Sequence, residues 1–457
     1  MNDSFNIFEY PKGCIEAPAG CGKTQLIVDS IEKNNNQNTA LVLTHTNAGV
    51  AALKQRFRKK GILHLKVKIT TIDSFLIRLV RTFPQRSALP KDYFLNKDID
   101  YTYIRKLALS LLGKEFINTL ISNTYSYIFV DEYQDCSELQ HHCVVKLSSS
   151  IPTYVFGDPL QSIFNFRNSK VVSWETVLKD FPPIHKLMTP WRWINSGTKP
   201  LGDWLLSIRK DLINHKKPDL YTAPRNYVRF IPREYKNFNL DYLYNTKDSY
   251  LIIGPSYNEK LRLLIAKCNP RVTPVEPVEL KALIDLVANF DIQGNSTESL
   301  KSILKIASET MTNTNIRELE KRINSIENKR NRKPPNRLEV LCMRFKEQPN
   351  FHLMKLILEE FKNTTGIRVI RPTTYLCLIR AIQRSEDNQC SLYDSAILER
   401  ERLRHQEKYI PPVAIGSTLL LKGLEADVSV VTNYNDLDIN NLYVALTRGS
   451  KRIIIYT

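Results

Sequence analysis

The chain has 457 residues, of which 42% are hydrophobic and 25% are charged, a composition typical of globular proteins that excludes disordered and fibrous classes. Its length exceeds one ordinary hydrophobic core, so we expect two or more domains. The 65 basic against 47 acidic residues give a formal net charge of +18, which favours a polyanionic partner. We expect nucleic acid rather than a membrane surface, because no basic amphipathic segment stands out.

Neither the cysteines nor the apolar segments indicate a secreted or membrane protein. The eight cysteines include no C-x-x-C pair, which argues against zinc and against a disulfide framework. The sequence shows no run of about 18 apolar residues and no signal peptide at its start. We therefore expect a cytoplasmic protein without a membrane partner.

The first chemical motif along the chain is the string CIEAPAGCGKTQLIV. Residues 14–17 are predicted to end a strand, residues 19–22 to form a loop of small residues, and a helix to begin near Thr24. Such a loop lets backbone N–H groups approach phosphates, while Lys23 reaches the outer phosphates and the Thr24 hydroxyl holds Mg²⁺. Ala17 replaces the first glycine of the usual pattern, so an ordinary strand-to-helix turn is the alternative. The residues assigned to the nucleotide phosphates are Ala19, Gly20, Cys21, Gly22, Lys23, Thr24 and Gln25.

Apolar segments of strand length alternate with helical segments over the first 190 residues, which predicts an α/β fold with a parallel sheet. The strands of this first sheet are predicted in TALVLTHT from Thr39, YIFVDE from Tyr127 and PTYVFGD from Pro152. A second sheet is predicted from later buried segments, namely SYLIIGP from Ser249, STLLLKG from Ser417, DVSVVTN from Asp427 and RIIIY from Arg452.

Two stretches are predicted to be insertions into these sheets, a short one at residues 76–120 and a helical one at residues 291–408. In the second, apolar residues spaced three, four and three apart from Ile316 to Ile326 predict an amphipathic helix. Another helix follows the break at Pro334 and Pro335. The turn between the two helices either faces solvent or meets nucleic-acid phosphates. Its charged residues are all basic, namely Lys329, Arg330, Arg332, Lys333 and Arg337.

Acidic, amide and aromatic side chains follow two of the predicted strands. Asp131 and Glu132 come directly after the strand in YIFVDE, where Asp131 is placed to hold Mg²⁺ and Glu132 to orient an attacking water. A strand that runs into an acidic turn is the alternative. Gln161 follows the next strand and is placed to sense a γ-phosphate. Phe164 and Phe166 either stack on bases or belong to the core.

Eight motifs, in this order, resemble those of the UvrD/Rep-like superfamily 1A DNA helicases. They are APAGCGKT, LTHTNAGVAALKQR, TTIDSF, VDEYQDCSELQ, GDPLQSIFNFR, LMTPWRW, LLLKGLEAD and LYVALTRG. The resemblance implies an α/β fold with two RecA-like P-loop NTPase domains, each with a parallel sheet and a mostly helical insertion. It also implies ATP and Mg²⁺ as cofactors.

The same resemblance implies where the domains begin and end. The boundaries are 1–75 and 121–186 for the first RecA-like domain, 76–120 for its short insertion, 187–290 and 409–457 for the second RecA-like domain, and 291–408 for its helical insertion. Both insertions are short for the family.

The resemblance also assigns catalytic roles. Asp131 would hold the metal, Glu132 would be the catalytic carboxylate, and Gln161 would couple the γ-phosphate to the DNA site. Arg192 in TPWRW and Arg448 in ALTRG would be two arginine fingers, whose planar guanidinium groups suit phosphate oxygens in the transition state.

Contacts with the base and with nucleic acid are implied in the same way. Trp191 matches a tyrosine that stacks on adenine, Glu425 a glutamate near the ribose, and Phe166 an aromatic residue that stacks on a base of the bound strand. The metal ligands are Thr24 and Asp131. The contacts with the backbone of single-stranded DNA are assigned to Thr46, Asn47, Thr71 and Ser74.

Several positions depart from the family. No glutamine occurs in Met1–Pro11, where the family carries one that reads the adenine edge, so we expect GTP to compete with ATP. On the predicted DNA side, His45 replaces a phenylalanine, Ala48 a lysine, Asp73 a histidine and Leu419 another histidine. We expect the grip on DNA to be weaker or differently shared.

The function implied by the resemblance is an ATP-dependent translocase and helicase that moves 3′ to 5′ on single-stranded or tailed duplex DNA. One alternative is a regulatory subunit that senses DNA ends, hydrolyses nucleotide and controls a nuclease partner without processive unwinding. An RNA helicase is a weaker alternative. Compact helicases of this kind occur beside a nuclease as the helicase-like subunit of Gabija-type antiphage systems, which this chain also resembles.

Overall fold

The computed structural model describes residues 5–33, 39–62, 66–90, 93, 99–164, 170–232, 240, 247–255, 258–277, 279–388, 390–404, 410–432 and 434–457. These residues form two compact units. Unit 1 contains the described residues of 1–233, 248–251 and 422–457, and unit 2 contains those of 234–247 and 252–421. The boundaries of the four implied domains stay a prediction.

Unit 1 contains a six-stranded sheet in which every pair of neighbours is parallel, in the order β3-β2-β4-β5-β1-β6. Its strands are β1 (Lys12–Glu16), β2 (Thr39–Thr44), β3 (Val67–Thr71), β4 (Tyr125–Val130), β5 (Thr153–Gly157) and β6 (Pro183–Lys186). The central strands are almost entirely buried, as expected for a parallel sheet covered on both faces. This confirms the α/β fold predicted from the alternating segments.

Helices cover both faces of this sheet. They are α1 (Lys23–Lys33), α2 (Asn47–Lys59), α3 (Ile72–Thr82), α4 (Tyr101–Leu112), α5 (Glu115–Thr124), α6 (Glu138–Ser148) and α7 (Trp174–Asp180). Because successive strand residues point to opposite faces, Leu41 and Leu43 join one hydrophobic core while Ala40 and Val42 join the other. The first core includes residues of α3 to α6, and the second includes residues of α1 and α2.

The helices of residues 76–120 share the core of the first sheet. Ile104, Ala108 and Leu111 of α4 and Ile117 of α5 are completely or almost completely buried in the same cluster as Leu41 of β2. The short stretch therefore packs directly against the sheet that precedes it.

The second sheet has six strands in the order β7-β12-β11-β8-β10-β9. Its strands are β7 (Val228–Ile231), β8 (Tyr250–Ile253), β9 (Thr273–Pro274), β10 (Val413–Gly416), β11 (Ala426–Val431) and β12 (Gly449–Tyr456). In unit 1, β12 pairs in parallel with β7 and β11, and in unit 2, β10 pairs in parallel with β9. The predicted second parallel sheet is thus confirmed.

Four further helices of unit 1 accompany these strands. They are α8 (Trp191–Asn195), α9 (Lys199–Ser207), α10 (Arg209–Ile213) and, after the helices of unit 2, α20 (Ile439–Leu446). They place the motifs TPWRW and LYVALTRG at a helix start and a helix end.

Unit 2 is mainly helical. Its helices are α11 (Glu259–Cys268), α12 (Lys281–Val287), α13 (Ser296–Thr310), α14 (Ile316–Glu327), α15 (Arg337–Glu347), α16 (Phe351–Asn363), α17 (Pro372–Asn388), α18 (Leu392–Arg404) and α19 (Thr418–Leu421). Most of them share one hydrophobic core, in which the predicted stripe of α14 is represented by Leu319 and Ile323. The predicted break at Pro334 and Pro335 is confirmed, because Asn336 caps α15 together with Glu339.

One predicted strand was wrong. The segment STLLLKG from Ser417 forms the short helix α19, and the strand of that region, β10, ends at Gly416. The Ser417 hydroxyl accepts from the Leu420 N–H at 3.3 Å, so a serine cap starts a helix where the apolar run predicted a strand. Short apolar runs do not distinguish helix from strand by periodicity.

Candidate active site

The loop between β1 and α1 has the backbone of a phosphate-binding loop. Gly20 and Gly22 have φ angles of +71° and +89°, which glycine adopts without strain. A Cβ atom at Gly20 would lie 2.7 Å from Trp193 Cζ3 and 2.9 Å from Arg192 Cβ. Ala17, at the position of the usual first glycine, is buried and donates its N–H to the Gly157 carbonyl at 2.9 Å. Gly20 and Gly22 are therefore required by the geometry of the loop.

Lys23, the first residue of α1, contacts both predicted catalytic carboxylates. Its Nζ atom lies 3.0 Å from Asp131 Oδ1 and also pairs with Glu132 Oε1. Although burial disfavours the charged ammonium group, the two carboxylates hold the pKa of Lys23 above its ordinary value. The structure thus brings together the three residues that the sequence placed far apart.

The two carboxylates follow β4, and each has a defined orientation. Glu132 has a left-handed backbone with φ +56°, and its N–H donates to Asp131 Oδ1 at 2.9 Å. Glu132 Oε2 accepts from Gln134 Nε2 at 2.6 Å. Burial alone would raise the pKa of Glu132, but the charges of Lys23 and Lys422 lower it to about 2. Glu132 is therefore ionised at neutral pH.

Gln161 follows β5, and both the nitrogen and the oxygen of its side-chain amide are hydrogen-bonded. Its Nε2 donates to Asp158 Oδ2 at 3.0 Å, and its Oε1 accepts from Arg448 at 3.4 Å. Lys422 donates to the Gln161 backbone carbonyl at 2.6 Å. The structure therefore joins Gln161 to Arg448, which the sequence assigned to the same catalytic set.

The two predicted arginine fingers lie on different elements, Arg192 in α8 and Arg448 directly after α20. Arg448 is 2% exposed, donates to the carbonyls of Val444 and Leu424 at 2.9 and 3.1 Å, and has its pKa lowered to about 10 by burial and by the charge of Arg192. Arg192 pairs with Glu425, and its backbone N–H donates to the Gly20 carbonyl at 3.1 Å. Arg192 therefore lies beside the loop, and Arg448 lies beside Gln161, within range of the Arg192 and Glu132 charges.

One buried donor of this site lacks an acceptor among the described residues. The Nε atom of Arg192 is buried and makes no hydrogen bond there. A buried donor without an acceptor is costly, and a phosphate oxygen is the acceptor that suits a guanidinium group best. Together with the glycine cradle, this fits a nucleoside triphosphate at the loop.

The predicted metal ligands suit Mg²⁺. Thr24 and Asp131 offer hard oxygen donors, and Mg²⁺ is usually held by one or two carboxylates plus substrate phosphates and water. No cluster of three or more His, Cys, Asp or Glu side chains that suits a metal occurs within the described part of the chain. A Mg²⁺ held by Thr24 and Asp131 would complete its coordination with nucleotide phosphates and water.

Trp191 and Gln25, both assigned to the nucleotide, make only local contacts among the described residues. Trp191 starts α8, is partly exposed and donates its N–H to the Thr189 carbonyl at 2.9 Å. Gln25 Nε2 donates to Asp29 Oδ1 at 2.6 Å within α1. Their assignment to the nucleotide stays a prediction.

The residues predicted to contact single-stranded DNA lie at the starts of two neighbouring helices. Thr46 caps α2, where its hydroxyl accepts from the Gly49 N–H at 3.0 Å, and Thr71 caps α3, where its hydroxyl accepts from the Ser74 N–H at 3.1 Å. Both helices follow adjacent parallel strands, whose ends Thr44 and Thr71 are paired in register. Asn47 and Ser74 are exposed beside these caps.

Two of the substituted positions on this side are tied to neighbouring elements. Asp73 accepts two hydrogen bonds from Arg105 of α4, at 2.8 and 2.7 Å, and one from Gln140 at 3.2 Å. His45 Nε2 lies 3.3 Å from Cys136 Sγ, and burial lowers the pKa of His45 to about 4. The replacements therefore form internal contacts.

The aromatic residues after Gln161 are only partly described. Phe166 lies outside the described residues, so its predicted role is open. The Phe164 ring lies 4.8 Å from Lys422 Nζ, a cation–π contact. Ala48 and Leu419, the two other substituted positions, are exposed.

The sequence reasoning missed several residues of this region. Lys422 pairs with Asp135 at 2.5 Å and so joins the motifs LLLKGLEAD and VDEYQDCSELQ, in which neither residue has a predicted role. Trp193, two residues after the predicted Trp191, is buried and donates its indole N–H to the Gly449 carbonyl at 3.0 Å. Arg209 lies outside every motif, and no spacing signal pointed to it.

None of the helices in the described part of the chain is long and apolar enough to cross a membrane.

The two parallel sheets and the glycine-rich loop at the end of β1 define a RecA-like α/β architecture. Residues 11–113 and 95–182 match the family model described as UvrD/REP helicase N-terminal domain. The N-terminal part of the chain is thus similar to the N-terminal domain of UvrD/REP helicases, and the matches are consistent with a UvrD-like superfamily 1 helicase. The resemblance predicted from the eight motifs is confirmed.

Similar proteins share short segments with this chain. One ATP-dependent helicase/nuclease component, from Oenococcus oeni, is 29% identical over 111 residues, which cover 24% of this chain and 9% of that protein. The "Gabija protein GajB" of Bacillus cereus is 25% identical over 210 residues, which cover 38% of this chain and 42% of that protein. The matches therefore span less than half of either relative.

Among solved structures, a complex of the Arterivirus nonstructural protein 10 helicase with DNA aligns with 99% of this chain and 63% of that chain, at 9% identity. Its TM-score of 0.38 is too low to support an argument about fold or function.

Proposed function

We propose that this chain is an ATP-driven translocase and helicase on single-stranded DNA. The proposal rests on three contacts: Lys23 pairs with two carboxylates beside a glycine loop, Arg192 contacts this loop, and Arg448 contacts Gln161 within range of the Glu132 charge. Three cations and a buried unpaired guanidinium donor suit a triphosphate, whose charge a protein stabilises with fixed cations.

In this proposal, each side chain of the site has one task. Lys23 leaves the carboxylates to hold the outer phosphates, and Glu132, oriented by Gln134, positions the attacking water. Mg²⁺, bound by Thr24 and Asp131, neutralises charge on the phosphate oxygens. With Lys23 on the phosphates, the charge of Lys422 and the hydrogen bond from Gln134 would still favour the ionised form of Glu132, which acts as the base.

The movement is proposed to follow from the two arginines. Arg192 and Arg448 belong to elements around the second sheet, and a γ-phosphate would draw both toward the loop of the first sheet. Hydrolysis would release them. Gln161 contacts Arg448 and precedes the aromatic residues near the predicted DNA path, so it would report the state of the nucleotide to the bound strand. The proposed 3′ to 5′ direction rests on the family resemblance alone.

The strand is proposed to bind at the starts of α2 and α3. Exposed hydroxyl and amide groups at helix N-termini bind phosphates well, because free backbone N–H groups point toward the ligand. Thr46, Asn47 and Ser74 supply such groups on adjacent helices. These contacts carry no base specificity, which suits a translocase.

A second candidate function has an observation in its favour. Asp73 is an acid on the predicted DNA side, and its bonds with Arg105 use one of the cations of that region internally. A surface with less free positive charge binds DNA more weakly. This favours a regulatory subunit that senses DNA ends and hydrolyses nucleotide, beside a nuclease partner of the kind named for the helicase/nuclease relatives.

The test measures ATP and GTP hydrolysis by the purified chain alone and with single-stranded DNA, blunt duplex, 3′-tailed duplex and single-stranded RNA. We expect stimulation of at least about tenfold by single-stranded DNA and little by blunt duplex or RNA. An ATPase that no nucleic acid stimulates contradicts the motor, and stimulation by RNA alone favours the RNA helicase.

A displacement assay separates the motor from the sensor. Streptavidin is bound at either the 3′ or the 5′ end of a biotinylated oligonucleotide, and ATP-dependent release is followed in time. A 3′ to 5′ motor releases streptavidin from the 5′ end faster than Glu132→Gln does. Stimulated hydrolysis without release from either end favours the sensor.

A further inference from the structure

We propose that Arg209 is a positioning residue that ties the phosphate loop to Gln161, so that the geometry of the loop and that of the γ-phosphate sensor change together. This inference rests on the proposed ATP hydrolysis. Arg209 starts α10, and at 4% exposure it is one of the most buried charges of unit 1.

The guanidinium group of Arg209 is bonded to three different segments. It makes two bonds of 3.0 Å with the carboxylate of Asp158 after β5 and one of 2.9 Å with Glu16 at the end of β1. It also donates to the Tyr443 hydroxyl of α20 at 2.7 Å, and its Cζ atom lies 5.2 Å from the centroid of the Tyr443 ring. Only an arginine supplies a planar fork with this many donors.

Tyr443 extends the contact to the phosphate loop. Its hydroxyl accepts from the backbone N–H of Ala19, the first residue assigned to the nucleotide, at 3.3 Å. The same oxygen accepts from Arg209, so one hydroxyl bridges the loop and the guanidinium group. A shift of Ala19 on nucleotide binding therefore changes the surroundings of Arg209.

Asp158 extends the contact toward the catalytic residues. Its Oδ2 accepts from Gln161 Nε2 at 3.0 Å, and its backbone N–H donates to Gln134 Oε1 at 3.1 Å. Gln134 in turn donates to Glu132. Asp158 is fully buried and forms an ion pair with Arg209, so the position of its carboxylate depends on the guanidinium group.

A buried ion pair is costly to break but contributes little net stability, so stability alone is a weak reason for this arrangement. The contacts form a continuous chain from Ala19 through Tyr443, Arg209 and Asp158 to Gln161. Arg209 lies in the middle of this series of contacts, so its effect on hydrolysis is indirect. It orients groups and does not touch the nucleotide.

The first test is Arg209→Lys, which keeps the charge but loses the fork. We expect kcat for DNA-stimulated hydrolysis to fall at least about tenfold because Gln161 is misplaced, while the Kd for a non-hydrolysable ATP analogue changes less than about threefold. The control is Arg452→Lys, an exposed arginine of β12 that pairs with Asp248 and touches none of these residues. It should match the unchanged protein in both quantities.

The second test breaks the contact between the loop and Arg209. Tyr443→Phe keeps the ring but removes the hydroxyl that bridges Ala19 and Arg209, so we expect the ATP KM to rise about three- to tenfold and kcat to fall at least about threefold. In a double variant, Arg209→Lys should lower kcat by less than about twofold once Gln161→Ala is present, because residues that act through one another are not additive.

Three results would overturn the inference. These are an unchanged kcat in Arg209→Lys, fully multiplicative effects of Arg209→Lys and Gln161→Ala, and an unchanged KM in Tyr443→Phe. If Arg209→Lys does not fold, Tyr443→Phe decides alone. Absence of hydrolysis in the unchanged chain would instead contradict the proposed function, so the two failures are distinguishable.

Discussion

The candidate active site of unit 1 and the basic turn of unit 2 handle charge in opposite ways. At the candidate active site, Lys23 is mostly buried and Arg448 is buried, and both are bonded to neighbouring oxygens. At the turn between α14 and α15, called here the basic tip and comprising Lys329, Arg330, Arg332 and Lys333, the charges are exposed, and the described residues offer them no carboxylate partner. A buried charge requires partners, whereas an exposed charge does not. The contacts at the candidate active site therefore indicate what its charges do, whereas the exposed charges of the basic tip must be tested by experiment.

The largest effect should come from Lys23, whose surroundings differ most from those of the exposed basic tip. Lys23→Ala removes the cation in contact with both carboxylates, so we expect ATP hydrolysis to fall to background. The control is Lys60→Ala, a half-exposed lysine of the same unit that pairs with Asp29 and Glu32 at the surface. Hydrolysis is measured with single-stranded DNA present. Turnover in Lys23→Ala comparable to that of the control would mean that burial and pairing do not mark the active site.

Glu132 should give the next largest effect. Glu132→Gln keeps the shape and the bond with Gln134 but removes the base, so we expect kcat to fall at least about a hundredfold while ATP binding persists. Binding of a fluorescent ATP analogue and steady-state hydrolysis check this. Glu138→Gln, at an exposed glutamate of α6, is the matched control. Near-normal turnover in Glu132→Gln would remove its catalytic assignment.

Trp191 tests whether a partly exposed residue also belongs to the buried site. Trp191→Ala should remove about 1–3 kcal/mol of stacking free energy, which raises the ATP KM about 5- to 150-fold. The effect on kcat should be smaller. Trp191→Tyr should restore most of the affinity, because a tyrosine ring also stacks. If KM is unchanged in both variants, the base binds elsewhere and Trp191 belongs with the exposed residues.

The same contrast explains what the sequence could predict. Lys23, Asp131 and Glu132 lie in short strings whose order along the chain identifies them, and the parallel sheet then brings the strand ends to one edge. Arg209 could not be found in this way, because its partners are separated from it by 51 to 234 positions and lie in three different segments. Only the folded chain shows that four acceptors surround one guanidinium group.

Local chemistry limited the prediction of secondary structure in the same manner. The strand of TALVLTHT and the helix break at Pro334 follow from residue types within each segment. The helix in STLLLKG depends on the cap at Ser417 and on the end of β10 at Gly416, which the apolar pattern does not encode. Periodicity therefore predicted long elements and misassigned a four-residue one.

The basic tip should give a smaller and more selective effect. Changing Arg330, Arg332 and Lys333 to Glu should weaken binding to a 3′-tailed duplex by about tenfold or more and flatten its salt dependence, because each lost phosphate contact lowers the slope by nearly one unit. Hydrolysis stimulated by single-stranded DNA should be nearly unchanged. Fluorescence anisotropy over a range of salt concentrations measures both the affinity and the slope.

The matched control for the basic tip changes the same charge elsewhere in unit 2. Lys305, Arg317 and Lys321 are exposed on α13 and α14, and their conversion to Glu lowers the net charge equally. If both triple variants weaken binding alike, the effect is one of overall charge. If neither changes the salt slope, the basic tip faces solvent or a protein, and the duplex contact belongs elsewhere, first to residues 76–120.

The smallest expected effect concerns His45, a histidine whose burial can be compared with that of the arginine and lysine side chains above. Burial lowers the pKa of His45 from 6.5 to about 4, so the folded chain keeps the ring neutral while the unfolded chain takes up a proton below pH 6.5. Stability is therefore lost as the pH falls from about 6.5 toward 4, by at most about 3 kcal/mol. His45→Phe removes this term, so its Tm should fall less between pH 7 and pH 5, by roughly 2–5 °C. His142→Gln, at an exposed histidine of α6, serves as the control and should follow the unchanged chain. Identical pH dependence of Tm in all three proteins would show that His45 is hydrated in the folded state, and its contact with Cys136 would then carry no burial cost.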